Sequence, residues 1–222
     1  MVERYPGYDV LSKRNSPSWN EQTRRVIDER LAIRPDTHRF LEDREFLTLQ
    51  AVCARIIPQP SDRAHPVPLA AMIDQKLEKD TRDGYRDYRM PPLREAWQRG
   101  LRALEAEALQ RHGKPFHQLN AKEQDTLLTA VQRGEAHDAA WGDMPPELFF
   151  KKRLLHDIAA SYYAHPASWN EIGFGGPASP RGYVRLDYDR RDPWEAVEAH
   201  PGRTEAARWE NYRLGRDPFH GG

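Results

Sequence analysis

The sequence predicts an all-α protein, an irregular bundle of about five or six helices with extended N- and C-terminal arms. Apolar residues recur at three- and four-residue steps in several separate stretches, which is the period of amphipathic helices. Most of the eighteen prolines lie between or outside these stretches, where they limit the helices. No stretch alternates apolar and polar residues over the length of a strand, apart from a short piece at residues 183–186.

Most of the predicted helices carry a recognisable signal at one or both ends. Asp43 can cap the helix that follows it, and Asn120 with Glu123 forms the pattern of a capping box. Gly113 and Gly134 follow the last apolar positions of their helices, where glycine commonly ends a helix. The predicted helices cover residues 19–34, 43–57, 68–79, 91–112, 120–133 and 147–164.

This pattern divides the chain into three regions. They are an N-terminal arm with a short helix at residues 1–42, a helical domain at 43–186 and an extended C-terminal arm at 187–222. Both arms hold prolines and aromatic residues but no obvious core of their own. Disordered tails usually lack aromatic residues, so we expect these arms to become ordered by wrapping around something.

The composition disfavours several classes of protein. The 34 basic and 34 acidic side chains cancel, whereas a nucleic-acid-binding protein should carry a clear positive excess. No apolar stretch approaches the length of a membrane-spanning helix, so we expect no direct membrane insertion. Cys53 is the single cysteine, and its apolar helical surroundings predict a small buried side chain. No apolar region follows the twin arginine Arg24-Arg25, so we expect no export signal in this chain.

Residues 161–177 are the most informative stretch of the sequence. The preceding helix is predicted to end near Ala164, because Pro166 cannot continue it and biases His165 away from helical geometry. An aromatic, glycine-rich loop is predicted to follow, and it is costly to order unless its rings are buried against something. Either this loop folds over helices of its own chain, or it forms a surface that sits in another protein. The pattern alone does not distinguish these two interpretations.

The search for a catalytic apparatus is largely negative. The sequence contains no dinucleotide-binding fingerprint, phosphate-binding loop, nucleophile elbow or helical zinc-protease motif. A metal or acid–base role for His156 is an alternative, although we expect Asp157 to lie on a different helix face and not to orient the ring. Asp187, Asp189 and Asp192 resemble part of a calcium loop but lack its glycine and terminal glutamate, so a solvated turn is expected. We therefore predict no catalytic residue, cofactor site or metal site in this chain.

Several segments of the chain match, in their order and spacing, the pattern of a known family. The main one is the helix end Tyr162-Tyr163-Ala164, followed by a proline, a tryptophan and the run Ile-Gly-Phe-Gly-Gly-Pro at residues 172–177. Further matching segments are residues 46–58, 73–77, 100–104, 116–128 and 149–150. Together these segments resemble the gluconate 2-dehydrogenase subunit 3 family over residues 43–186, which leaves both arms outside the resemblance.

The resemblance implies a non-catalytic small subunit that binds and stabilises a large FAD-dependent dehydrogenase of the glucose–methanol–choline (GMC) type. Such complexes oxidise a sugar, a sugar acid or a polyol, and they often pass electrons to a cytochrome c. FAD is then expected in the partner subunit, with no cofactor in this chain. Family members commonly carry a twin-arginine signal, which is not expected here. The complex should therefore be periplasmic if its partner carries the signal, and cytoplasmic otherwise.

We expect the aromatic, glycine-rich segment and the C-terminal arm to contact that partner. Trp169 is the predicted anchor, and its replacement by alanine should weaken assembly by more than about 1 kcal/mol; unchanged affinity in a variant that still folds would contradict this assignment. Two rival hypotheses are a self-sufficient helical metal-dependent enzyme that uses His156 and a scaffold for an unrelated protein. The predicted interface comprises Tyr162, Tyr163, His165, Pro166, Trp169, Asn170, Glu171, Gly173, Phe174, Gly175, Gly176, Pro177, Trp194 and Phe219.

Overall fold

The structure is a computed structural model that describes residues 3–16, 18–63, 65–81, 84–179, 182 and 195–214. These residues form helices and connecting segments with no β-strand, so the predicted all-α class is confirmed. None of the helices within these ranges is long and apolar enough to cross a bilayer. The helices are α1 (Glu21–Leu31), α2 (Asp43–Ile56), α3 (Leu69–Glu78), α4 (Leu93–His112), α5 (Ala121–Gln132), α6 (Pro146–Phe149), α7 (His156–Ala164), α8 (Pro166–Ile172) and α9 (Thr204–Leu214).

The ends of the helices agree with the signals in the local sequence, except that the predicted N-terminal cap of α2 is wrong. The Glu123 N–H donates to Asn120 Oδ1 and the Asn120 N–H donates to Glu123 Oε2, both at 3.0 Å, so the predicted capping box of α5 is confirmed. Gly113 ends α4 in the left-handed conformation, as predicted. The cap of α2 is Glu42 and not Asp43, because the backbone of Glu42 is extended and Asp43 is already helical.

The predicted helix at residues 147–164 is interrupted by a change of pitch. Its first turn is α6, and a π-helical segment, Phe150–Leu155, then joins α6 to α7. Short π-helical segments are rare, and no periodicity in the apolar residues indicated this one. Short 3₁₀ helices lie at Val10–Lys13, Phe116–Gln118 and Ala139–Trp141.

The chain divides into two compact units. The terminal unit is Met1–Ala32 together with Tyr163–Gly222, and the central unit is Ile33–Tyr162. The regions predicted from the sequence instead divide after residues 42 and 186. Because residue 186 lies outside the described residues, the predicted three-region division stays a prediction.

The central unit has an aromatic cluster in its core. The ring of Phe149 makes edge-to-face contacts with Trp97 and Trp141, each with ring centroids 5.7 Å apart. The same ring lies against Gly100 on α4, where a Cβ atom would collide with it. Cys53 is buried in this unit, as predicted, and burial raises the pKa of its thiol.

Buried carboxylates on the helices of the central unit hold its connecting segments. Each accepts at least one hydrogen bond from a backbone N–H group of a connecting segment, at distances from 2.6 to 3.3 Å. A loop amide that is buried without an acceptor would destabilise the fold, so these carboxylates fix the path of the loops. The pairs are Asp74 with residues 39–41, Glu105 with Phe116, and Glu107 with residues 137–138.

The terminal unit has a separate core that the N-terminal arm largely builds. It consists of Tyr8, Val10, Trp19, Ile27 and Trp169, and none of these side chains is more than 5% exposed. The N-terminal arm therefore becomes ordered by packing against its own chain.

The C-terminal arm contains more helix than predicted. The sequence predicts an extended arm, whereas α9 within it is a helix of 11 residues. Its Asn211 side chain is buried and donates to the backbone carbonyls of Pro6 at 3.0 Å and Val197 at 2.9 Å. The Val197 N–H donates in return to Asn211 Oδ1 at 2.7 Å. Asn211 thus joins α9 to the N-terminal arm, a contact that leaves no periodic signal in the sequence.

Candidate partner interface

The segment after Pro166 is a short helix and not the loop that the sequence predicts. Pro166 ends α7 as expected, but it also occupies the first position of α8, which proline tolerates well. His165 has the predicted extended backbone and caps α8, since its Nδ1 accepts a hydrogen bond from the Ala167 N–H at 3.2 Å. The helix ends at Gly173, which adopts the left-handed conformation with a φ of +67°.

The glycine-rich segment is covered by residues 5–16 and 18–20 of the same chain, which we call the N-terminal strap. The Val10 N–H donates to Asn170 Oδ1 at 2.9 Å, and the Asn20 N–H donates to the Ser179 carbonyl at 2.8 Å. These bonds fix the strap at two points along residues 170–179. On one side, therefore, the segment packs against its own chain.

Two of the three glycines provide the space that the strap occupies. A Cβ atom at Gly173 would lie 2.6 Å from the Tyr5 ring, and one at Gly176 would lie 2.9 Å from Val10 and 3.1 Å from Trp19. A Cβ atom essentially never lies within 3.0 Å of another heavy atom, and 3.1 Å is unusually close, so the strap would have to shift if either glycine were alanine. The glycines are thus explained by close packing as well as by their backbone angles.

The predicted interface residues differ in exposure, which decides which of them a partner can reach. Tyr162, which belongs to the central unit, is buried, and so are His165, Pro166, Trp169 and Gly176. Asn170, Gly173, Gly175 and Pro177 are half-buried. Tyr163, Glu171 and Phe174 are exposed. Trp194 and Phe219 lie outside the described residues.

Trp169 connects the predicted interface residues that the structure brings together. Its indole N–H donates to the Tyr163 carbonyl at 2.6 Å, and its ring makes an edge-to-face contact with Phe174 at a centroid distance of 5.6 Å. Because the Trp169 side chain is only 3% exposed, its replacement by alanine would damage the core of the terminal unit. Trp169→Ala therefore cannot isolate an interface contact, and the role of Trp169 as an interface anchor stays a prediction.

The accessible apolar residues of this region are Tyr163, Ile172 and Phe174, which we call the α8 surface. Their side chains are 53%, 45% and 38% exposed, respectively. Ile172 was not among the predicted interface residues, although its place in the matching run could have indicated it. Exposed aromatic and aliphatic side chains of this kind are commonly found in the contact surfaces of proteins.

The expected separation of His156 and Asp157 is wrong. His156 Nδ1 lies 3.0 Å from Asp157 Oδ1, within hydrogen-bonding distance. Asp157 is fully buried, and its carboxylate also accepts hydrogen bonds from Trp97 Nε1 at 3.0 Å and from Lys76 Nζ at 3.2 Å. These contacts make Asp157 a buried junction between helices of the central unit. Within the described ranges, no group of three or more His, Cys, Asp or Glu residues could hold a metal ion.

The described residues define a helical protein in which the glycine-rich segment packs beneath the strap and leaves the three side chains of the α8 surface exposed. The family model described as Gluconate 2-dehydrogenase subunit 3 matches residues 43–176, which is more than half of the chain. The chain therefore belongs to the gluconate 2-dehydrogenase subunit 3 family. Comparisons with curated proteins and with solved structures gave no significant match.

Proposed function

We propose that this chain is the non-catalytic small subunit of a dehydrogenase complex. Its partner is a large FAD-dependent subunit of the GMC type that oxidises a sugar, a sugar acid or a polyol, and that can pass electrons to a cytochrome c. The observation that carries the proposal is membership of a family described as a subunit of gluconate 2-dehydrogenase, matched over residues 43–176. In this proposal the FAD belongs to the partner, and this chain contributes binding surface and stability.

The α8 surface supports the proposal as a place where the large subunit could bind. The strap and the Trp169 ring fix the backbone beneath it, so little order has to be gained on binding. Contact with the partner would cover Tyr163, Ile172 and Phe174, which otherwise expose apolar surface to water. Exposed apolar side chains on a fixed backbone favour a stable subunit contact.

The first experiment is an affinity purification of the full chain from its native source, followed by flavin absorbance of the eluate and identification of the co-purifying protein. We expect a large flavoprotein near one-to-one stoichiometry. A colourless eluate that contains this chain alone would refute the proposal. Activity of the purified complex should be unchanged in His156→Ala, whereas the rival metal-dependent enzyme requires its loss.

A matched pair of variants tests the α8 surface itself. Ile172→Ser should weaken binding of the purified flavoprotein by about fivefold or more, the effect of losing roughly 1 kcal/mol at an interface. Leu31→Ser is the control, because Leu31 belongs to the same unit and is 41% exposed against 45% for Ile172. Equal affinities for the two variants would show that the α8 surface is not part of the interface. That result would not contradict the proposed assembly with the flavoprotein.

A further inference from the structure

The C-terminal segment of the terminal unit contacts the N-terminal strap, and we call residues 195–214, which include α9, the C-terminal latch. Asn211 is the main polar residue of this contact. Its side chain is 2% exposed, donates to the carbonyls of Pro6 and Val197 at 3.0 and 2.9 Å, and accepts from the Val197 N–H at 2.7 Å. One side chain therefore satisfies three backbone groups from two separate segments, and its loss would leave them without these partners.

Backbone groups extend the contact beyond Asn211. The Ala199 N–H donates to the Arg4 carbonyl at 2.8 Å, next to the strap. The Gly7 backbone lies so close to Arg208 that an added Cβ atom would be 3.1 Å from the Arg208 carbonyl oxygen. The latch is thus fixed at several points along the N-terminal arm, and its position does not depend on exposed side chains alone.

The latch also packs against the core of the terminal unit. Ala196 and Leu214, near the two ends of the latch, contact the buried cluster that contains Val10 and Trp169. Trp169 belongs to α8, and the Val10 N–H of the strap donates to Asn170 Oδ1 of α8 at 2.9 Å. The contacts therefore lead from the latch to the strap, and from the strap to α8.

We infer that the C-terminal latch controls partner binding at the α8 surface: the closed latch holds the strap on α8, and an open latch releases the strap and the backbone that carries Tyr163, Ile172 and Phe174. The use of the α8 surface as the binding site rests on the proposed function, whereas the coupling between latch, strap and α8 rests on the contacts above. Because the latch follows the strap by most of the length of the chain, only a chain whose C-terminal segment has folded would present this surface in its binding form.

Such control can be measured from either end of the coupling. If the partner binds only the closed state, its binding must favour closure by the factor by which closure favours binding. A partner at about 100 times its dissociation constant should then make opening of the latch roughly a hundredfold rarer. The same factor should appear in the latch, in the strap and after α8, because one opening exposes all three.

The first test uses the purified full chain without a partner and measures native-state hydrogen exchange. The reporters are the amides of Val10 and Asn20 in the strap and of Phe174 after α8, each of which donates to an oxygen atom within the terminal unit. Asn211→Ala should lower their protection by about tenfold or more, because it leaves backbone groups of the latch and the strap unsatisfied.

Two further variants make this test specific. Glu205→Ala is the control on α9, since the Glu205 side chain is 85% exposed, and it should change the protection by less than about twofold. Leu214→Ala removes a half-buried side chain that packs on the core, and it should lower the protection by about fivefold even if Asn211→Ala prevents folding. In each variant that folds, the Leu41 amide, which donates to Asp74 in the central unit, should keep its protection.

The second test adds the purified flavoprotein to the original chain. At about 100 times the dissociation constant, the protection of the Ala207 amide in α9, the Val10 amide and the Phe174 amide should rise together, by roughly a hundredfold. A direct contact between the partner and α9 would instead protect only the amides that it covers. A common factor in all three places therefore distinguishes closure of the latch from direct contact.

The two tests separate the inference from the proposed function. If the strap is protected equally in Asn211→Ala, Leu214→Ala and Glu205→Ala, the latch does not hold the strap, and the inference fails whatever the partner does. If the flavoprotein binds and the protection of the latch does not rise, the latch does not control binding, and the inference fails while the proposed function stands. If the original chain binds no flavoprotein, the proposed function and the control of binding both fail, and the first test alone decides whether the latch holds the strap.

Discussion

The fit of the N-terminal strap over Gly173 can be tested with one methyl group. Gly173→Ala adds a Cβ atom 2.6 Å from the Tyr5 ring, so either the ring or the backbone must move. The control is Gly202→Ala, since Gly202 belongs to the same unit, has a φ of +76°, and has nothing within 4 Å of an added Cβ. Both substitutions place alanine in the left-handed region, and only the first adds a collision.

The expected difference between the two variants follows from these contacts. The left-handed backbone costs alanine about 1–2 kcal/mol in both. Crowding at Gly173 adds about 1–3 kcal/mol, the range for an extra methyl group in a packed site. We expect a crowding cost near the lower end of this range. The half-buried Tyr5 ring can move away from the new methyl group, and only the packing of that ring is then lost.

Native-state hydrogen exchange measures this difference where it arises. The amides of Val10 and Asn20 report on the strap, because they donate to Asn170 and to the Ser179 carbonyl. Their protection should fall by roughly 5- to 150-fold more in Gly173→Ala than in Gly202→Ala, which corresponds to about 1–3 kcal/mol. Tyr5→Ala should remove most of that difference when it is combined with Gly173→Ala. Equal protection in the two single variants would refute the packing of the strap on Gly173.

Three further predictions concern buried groups. Asp74→Asn should lower the free energy of unfolding in urea by about 2 kcal/mol, because an amide cannot accept all the hydrogen bonds from residues 39–41; a change below about 0.5 kcal/mol would contradict this role. Burial opposes ionisation of Glu107, but backbone hydrogen bonds and Arg111 outweigh it and hold its pKa below 4.5. The stabilisation by ionised Glu107 should therefore be complete above pH 4.5 and should be lost as the pH falls through the lowered pKa of Glu107 in the folded protein. In urea unfolding, the Glu107→Gln variant should lack this part of the pH dependence of the free energy of unfolding. Trp169→Ala should cost about 3–5 kcal/mol and make the strap sensitive to protease, and a fully protected strap would contradict the packing shown by the structure.

Local signals in the sequence predict most of the helices. The apolar period and the end signals of α2 to α5 lie within a few residues of each other, so they can be interpreted without the rest of the chain. The sequence does not predict α8, because Pro166 is a signal both for the end of one helix and for the first position of the next. The missed signal was His165 before the proline, in the position of a cap.

Contacts between distant residues explain the rest of what sequence analysis missed. Val10 and Asn170 are 160 residues apart, and Asp74 is more than 30 residues from the loop that it holds. No periodic pattern or short motif in the sequence indicates either contact, because each depends on how separate parts of the chain pack together. The aromatic residues of the N-terminal arm did indicate that it would become ordered, but they did not indicate against what.

Packing against its own chain accounts for some residues of the glycine-rich segment and leaves others exposed. Trp169 and Gly176 are buried beneath the strap. Ile172 and Phe174, which lie between these two residues in the sequence, expose apolar surface. The family match covers this segment but not the strap, which lies before residue 43. Three of the four residues that pack with Trp169 in the core belong to the strap. A partner that binds the exposed residues would therefore depend on the strap, because without it the buried side would open and the α8 surface would lose the backbone that holds it.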